Sequence, residues 1–372
     1  MRFFNLISYA GLLTLSNAHK SPHSTRANTF IHPGLLHTAT DFKRTSEKVN
    51  AKIEPWITGW NKLTKSSFAS LTYTDNPKDV VYRGSDGTHA ENYPSLYKDI
   101  AAAYAIALYW KITGNTTYAD KAISILDGWS NTLTQISGST DMYLAAGIYG
   151  YEFANVAEIM RDYSGWPASD FNRFVSMMID VFYPLSHEFL GDHHAAAIDH
   201  YWANWDLCNI ASILSIGVLS DNRTIYEEGI EYFKNGAGNG QIQNAIWKIY
   251  TVDGQALGQG QEAGRDQGHA MLDFALLGAI AQMAYNQGDD LFGYLDNIIL
   301  AGFVASSLWV IASHFAFADF IAGLNMLRNT TLAMMFLTRH ILTAMSPKLL
   351  SVTVVEATFA RSGSFSITTT EF

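Results

Sequence analysis

Between Gly258 and His269 the chain reads GQGQEAGRDQGH, a polar, glycine-rich passage that leads into the apolar run Ala270–Ala284. If the passage is helical, Glu262, Arg265 and His269 fall at i, i+3 and i+7 and share one face. Imidazoles titrate near neutral pH and can take a proton, while a guanidinium beside them can hold a carboxylate or a developing negative charge. The four glycines let backbone approach a ligand closely, at a cost in helix propensity. A capped helix start with a structural ion pair would use the same residue types.

Three further clusters carry chemistry-bearing side chains. In HYWANWDLCN (His200–Asn209), His200, Asn204 and Cys208 recur four apart, as do Tyr201, Trp205 and Asn209. Tyr201, Trp202 and Trp205 offer flat apolar faces of the kind that stack on sugar rings, although a tryptophan-rich helix start can equally be core. Cys208, followed by Ile210, Ile213 and Leu214, reads as buried filler. The loop from Tyr82 to Tyr93 (YRGSDGTHAENY) presents Arg83, His89, Asn92 and Tyr93 to a cleft, or forms a solvated turn with a helix cap. Asp192-His193-His194 followed by Asp199-His200 has metal-ligand types, but adjacent histidines in a loop do not define a closed site, and no metal is assigned.

The elements that must hold these residues read as helices. Five of the eight prolines lie before residue 95, and none lies between Leu185 and Ser346, which permits long helices through the middle and end. Apolar residues at three-to-four spacing predict helices over Tyr93–Thr113, Tyr118–Leu133, Asp141–Arg161, Asp170–Phe189, His200–Leu219, Ile225–Lys234, Arg265–Asn286 and Leu291–Ala312. Short Gly, Asn, Asp and Ser punctuation separates them. No convincing period-two run precedes Ser351. Helical hairpins joined by short turns, without a sequence repeat, predict an all-α chain folded as an α/α toroid.

Composition narrows the function. Of 372 residues, 48% are hydrophobic and only 16% charged, so most of the chain must pack into a core. A net charge of −10 argues against nucleic acid, and an acidic polymer would need a local basic site. The single cysteine excludes an internal disulfide and a thiolate zinc cluster. Residues 1–18 (MRFFNLISYAGLLTLSNA) read as a secretory signal peptide, and the sequons at Asn115, Asn222 and Asn329 fit a secreted glycoprotein.

HPGLLHT (His32–Thr38), VYRGSDGTHAENY (Val81–Tyr93), HYWANWDLCN and GQEAGRDQGH (Gly260–His269) together resemble the alginate lyase-domain proteins, and more narrowly the fungal secreted members close to polysaccharide lyase family 38. The resemblance covers about residues 31–303. It implies an α/α toroid that cleaves a uronate-containing polysaccharide, of alginate or glucuronan type, by β-elimination without a cofactor. The base must remove a weakly acidic proton beside a carboxylate whose charge grows in the transition state. The resemblance assigns charge stabilisation to Asn204 and Arg265, with a protonated Glu262 as helper, and the base to His269, with His200 second. Tyr294 and Tyr201 are the tyrosines for the leaving oxygen. Tyr201, Trp202, Trp205, Arg83, His89, Asn92 and Tyr93 would bind the acidic polymer. In a related alginate lyase family an Asn-His pair precedes Tyr-Trp-Ala on this helix; here Asp199-His200 stands directly before Tyr201, so the asparagine is replaced and the spacing is one residue short. Two other functions compete: a glycoside hydrolase using Glu262 and Asp206 as its two carboxylates, and a non-catalytic carbohydrate-binding protein that has lost its tyrosine.

After Phe303 the family pattern stops. From Asn297 to Ser313 no side chain ionises, a length approaching that of a membrane span, with a buried toroid helix as the competing reading. The expected organisation is therefore a signal peptide (1–18), a toroid domain (19–303) and an atypical C-terminal region (304–372) that reads as partly out of frame. The Ser/Thr-rich tail Ser351–Phe372, with alternating Val and Phe, is expected either to form a strand or to remain frayed.

Overall fold

A computed structural model describes residues 29–252 and 254–312, together with two strands near the C-terminus. The expected signal peptide (1–18) and most of the region after Ala312, including the sequon at Asn329, lie outside the described residues.

The first elements are α1 (Ala39–Asn50), α2 (Trp56–Thr64) and a short strand β1 (Val80–Arg83). Four helical hairpins follow. The first pairs α3 (Pro94–Thr113) with α4 (Thr116–Ser130), and strand β2 (Gln135–Gly138) leads into the second. That one pairs α5 (Asp141–Met160) with a return built from α6 (Ala168–Met177), a π turn at Met178–Phe182 and α7 (Tyr183–Asp192). Pro184 near the start of α7 lacks the N–H that a continuous helix needs, and the π turn absorbs the fault. The third hairpin pairs α8 (Ala203–Leu219) with α9 (Arg223–Asn235). After the one-turn α10 (Ile242–Ala245), the antiparallel hairpin of β3 (Ile246–Val252) and β4 (Gln255–Gly260) leads into α11 (Gln267–Asn286) and α12 (Tyr294–Ala312).

The sequence expectation of no strands before Ser351 is thus corrected at two places. β1 and β2 pair in parallel, Val80 opposite Gln135 through Arg83 opposite Gly138. The β3–β4 hairpin pairs Val252 with Gln255 at its tip, and Gly254 just before β4 takes φ 80, in the left-handed region that suits glycine. At the other end of the chain, β5 (Val354–Phe359) pairs antiparallel with β6 (Phe365–Thr370), in the tail for which the sequence leaves a strand and a frayed end both open.

Burial separates inner helices from outer ones. α8 is buried on every side from Ala203 to Leu219 apart from Trp205, and α5 is nearly so, whereas α6 and α9 bury one face. α5 and α8 approach closely because Gly147 and Gly150 face α8: a Cβ on Gly147 would stand 2.4 Å from Cys208 Sγ. Helices α3, α5, α8 and α11 are the inner ring. They run the same way, since each is reached through a returning outer element, and their contacts agree. The start of α3 meets the first half of α5 through Tyr93 and Tyr149. Their far ends share one ligand, the segment Ile31–His37. There His32 Nδ1 meets Glu158 Oε1 at 2.6 Å, Leu36 N–H donates to Asn155, and Asn286 and Gln287 at the end of α11 donate to the carbonyls of Leu35 and Gly34. Arg161 at the end of α5 donates to the Leu219 carbonyl that ends α8. The N-terminal segment therefore clasps the closed end of the toroid, and the helix starts gather at the other.

Candidate active site

The N-termini of the four inner helices lie toward the open end, where the helix dipoles give a partial positive charge. Two clusters of polar side chains lie there.

The first is built on Arg83, the last residue of β1. The strand is pinned behind it by Asn92, whose amide accepts from Tyr82 N–H at 2.8 Å and donates to the Val80 carbonyl at 2.9 Å. On the helix side, buried Asp99 of α3 accepts from Tyr73, Asn76 N–H and Trp129, which fixes the chain entering β1. Arg83 then projects between two aromatic faces. Its guanidinium carbon lies 5.2 Å from the Tyr93 ring centre and 5.4 Å from that of Tyr149, and Nη1 donates to Tyr149 Oη at 3.3 Å. No carboxylate pairs with Arg83 among the described residues. Glu152, one turn beyond Tyr149 on α5, lies near enough for Arg83 to influence it, but burial pushes its carboxyl up to about 8, so it is largely neutral at pH 7. Burial likewise keeps the Tyr149 hydroxyl protonated.

The second cluster joins the start of α8 to the turn before α11. Trp202, at the N-cap position, offers no side-chain cap. The turn supplies one instead: Gln261 Oε1 accepts from Ala203 N–H at 3.1 Å, and Glu262 Oε1 accepts from Asn204 N–H at 3.1 Å and from Asn204 Nδ2 at 2.6 Å. Glu262 Oε2 accepts from Arg265 Nη1 at 2.9 Å, and the Arg265 guanidinium lies over the Trp202 indole at 5.0 Å. Three donors therefore converge on the two oxygens of Glu262. The proton of this region sits on Asp273 behind it. Burial and the neighbouring Glu262 charge push Asp273 up to about 10.

The expectation that Glu262, Arg265 and His269 share a helix face is also corrected. Residues 261–265 form turns, and α11 starts only at Gln267 with Asp266 as its cap. Asp266 accepts from His269 N–H at 2.9 Å and contacts His269 Nδ1 at 2.5 Å. Partial burial opposes it, but these bonds hold the Asp266 carboxyl below the usual range. With Nδ1 committed to Asp266, the other ring nitrogen of half-buried His269 is left to take a proton.

The clusters are neighbours across the α5–α8 contact. Gly147, just before Tyr149, packs on Cys208, one turn beyond Asn204, and the Arg83 charge is felt at the Cys208 thiol. Burial nonetheless pushes that thiol far up, which agrees with the filler reading.

Other expected residues are placed differently. His200 precedes α8, is exposed and stands edge-on to Tyr201, so it does not share a helix face with Asn204. Tyr201 packs 4.7 Å from Trp205, which is half-buried and stacks on Phe189, whereas Trp202 is 41% exposed. His89 stacks on Tyr82 and bonds Asp86, and Asn92 is committed to the strand, so these two shape the loop. Tyr294 rests against Lys234. The pair His193-His194 is split: His193 turns inward to Asp206 at 2.8 Å, and His194 meets Tyr143. His193, His194 and Ala195 all have positive φ, a strained exit from α7 that the buried His193–Asp206 contact holds. Both carboxylates of the hydrolase alternative are buried and occupied, Glu262 as above and Asp206 by His193 and Gly240 N–H. No group of three metal-ligating side chains occurs among the described residues, and no helix among them is long and apolar enough to cross a membrane.

Tyr149 and Glu152 are site residues that the sequence reading missed. A signal was present: Gly147 and Gly150 flank Tyr149 inside a long helix, where glycine is disfavoured unless something must approach closely.

A family model described as alginate lyase matches residues 40–298. Among solved structures, a Tyr-to-Phe variant of alginate lyase A1-III complexed with tetrasaccharide is similar with a TM-score of 0.54 and 16% identity, over 79% of this chain and 81% of that one. A His-to-Ala variant, also complexed with tetrasaccharide, gives 0.55 and 17% over 81% and 82%. Alginate lyase A1-III from Sphingomonas species A1 gives 0.51 and 17% over 79% and 81%. No curated protein sequence matches significantly. At these identities the structural likeness carries the fold, an α/α toroid, while the family model spans more than half of the sequence. The chain belongs to the alginate lyase family and is a polysaccharide lyase.

Proposed function

We propose that this protein is a secreted lyase, close to the fungal members of polysaccharide lyase family 38, that cleaves a uronate polymer of alginate or glucuronan type by β-elimination. The observation that carries the substrate class is Arg83: a half-buried guanidinium between two tyrosine faces, without a carboxylate partner among the described residues and beside a largely neutral Glu152. Such a cation favours an anionic ligand in a chain whose overall charge would repel one.

In this reading Arg83 and Tyr93 bind one uronate, and Trp202 stacks on a neighbouring ring. Asn204, with the amide proton that Glu262 does not take, and Arg265 face the carboxylate of the reacting sugar. His269 removes the proton at C5. The electron pair becomes the C4–C5 double bond, the C4–O bond breaks, and a tyrosine hydroxyl protonates the departing oxygen. Tyr149 joins Tyr201 and Tyr294 as a candidate for that last role, because it is held protonated beside Arg83. Asp266 orients His269, and Glu262 orients Asn204 and Arg265 without touching substrate.

The test is single substitution. His269→Ala and Arg265→Ala should each lower formation of unsaturated product by roughly 100-fold or more with unchanged helical circular dichroism. Near-normal turnover by the His269 variant would remove it as the base and turn attention to His200.

A further inference from the structure

Far from this site, the α1–α2 hairpin and the C-terminal half of α3 enclose a cavity of about 320 Å³, within the range of roughly 300–1,000 Å³ usual for ligand sites. Its floor is apolar, from Phe42, Leu63, Leu108 and Ile112, and its wall carries Trp56 and Trp60. Leu108 lies roughly 20 Å along α3 from Tyr93 at 1.5 Å per residue, so the cavity stands apart from the Arg83 cluster.

We propose that this cavity is a second, non-catalytic uronate site, which seats one ring of the polymer against Trp56 with its carboxylate toward Lys48 and Lys62. The class of ligand rests on the functional reading above; the existence of the site rests on three observations here.

Local charge is the first. From Ala39 to Lys65 the chain carries six lysines and arginines against three acidic residues, in a protein of net charge −10. Buried Asp41 is taken up by Arg44 at 2.6 Å, whereas Lys48 and Lys62 make no ion pair among the described residues. The second is the cation beside the platform. The Lys48 ammonium stands 5.6 Å from the Trp56 ring centre, where it can meet the carboxylate of a sugar whose apolar face lies on that indole. The third is Gly59. Trp56, Gly59 and Trp60 fall at i, i+3 and i+4 on one face of α2. Glycine weakens a helix interior, yet a Cβ at Gly59 would meet nothing within 4 Å. Packing therefore does not require this glycine. Gly59 lines the cavity and adds no side chain to the face that carries the two indoles.

Gly59 also provides the cleanest test. Gly59→Leu projects a side chain from the cavity lining at a position with room for it and with a gain in helix propensity, so the fold is kept; Trp56→Ala removes the platform. The full chain is run in native gels containing alginate or glucuronan, with a neutral glucan as control, and its turnover on the same polymers is measured. Both variants should be retained about 10-fold more weakly and show a correspondingly higher KM, with kcat unchanged. Variants retained as tightly as the wild type, while the wild type turns polymer over, would overturn the second site and leave the functional reading standing. Equal retention of the wild type by the neutral glucan would overturn the assignment of a carboxylate ligand. A wild type that neither binds nor cleaves any uronate polymer would overturn both readings.

Discussion

Asp273→Asn isolates the proton that the site stores behind Glu262. In the folded protein burial and the Glu262 charge push Asp273 up to about 10, against roughly 3.9 for an unfolded aspartate. The folded group therefore binds a proton that the unfolded chain releases across that interval. Its favourable contribution is fully present below about pH 4 and is lost progressively as pH rises toward 10. The limiting slope is about 1.4 kcal/mol per pH unit, so at pH 7 the stored proton costs up to about 4 kcal/mol. Asparagine reproduces the neutral carboxyl, keeps a donor toward Glu262 and has no proton to lose. The variant should match the wild type near pH 4 and become progressively more stable from pH 5 to 9, with activity retained. Thermal midpoints of both proteins across that range provide the assay. Parallel pH curves, or a variant less stable at every pH, would refute a protonated Asp273.

Glu262→Gln should behave oppositely, losing about 3–5 kcal/mol because it removes the charge on which Asn204 and Arg265 converge; a lowered melting temperature with reduced turnover is expected. His32→Gln should weaken the clasp at the closed end. Burial of His32 works against its protonation, but the bonds to Glu158 and Asp221 raise its pKa, so the clasp is strongest below about pH 6.5 and fades as pH climbs through the raised value. The difference in melting temperature between wild type and variant should therefore shrink from pH 5.5 to 8. Gly147→Val should cost about 1–3 kcal/mol by forcing α5 from Cys208 and Asn209, and should lower activity by parting the two clusters.

Much of this architecture was legible because inner helices are written as long apolar runs between short punctuated turns, and the extents of α3, α5 and α8 differ from expectation by three residues or fewer at each end. The β3–β4 hairpin carries no period-two signal: Ile246–Val252 reads IWKIYTV, without alternation, and Trp247, Ile249 and Tyr250 are all exposed, so no buried face marks the strand in the sequence. The helical reading of Glu262–His269 failed for a related reason. Spacing of three and seven suits a helix, but Asp266 is a strong cap, and a cap marks where a helix starts. Arg83 and Asn204 were visible as chemistry in a polar loop and a helix start. Tyr149 and Glu152 were hidden inside an apolar helix, where only their convergence on Arg83 in space distinguishes them from core. His200 and Asn204 looked equivalent at i and i+4 until Trp202 proved to stand at the N-cap and put His200 outside the helix.

The central claim is that the open end of this toroid performs β-elimination on a uronate polymer. Incubating the purified chain with polymannuronate, polyguluronate and glucuronan and following ultraviolet absorbance tests it directly, since elimination alone leaves a conjugated C4–C5 double bond at the new non-reducing end. Absorbance should rise with at least one of these polymers, and the rise should slow as salt screens attraction to Arg83, over about 8 Å at physiological ionic strength. New reducing ends without absorbance would mean hydrolysis, and neither signal from any of the three polymers would contradict the proposed activity.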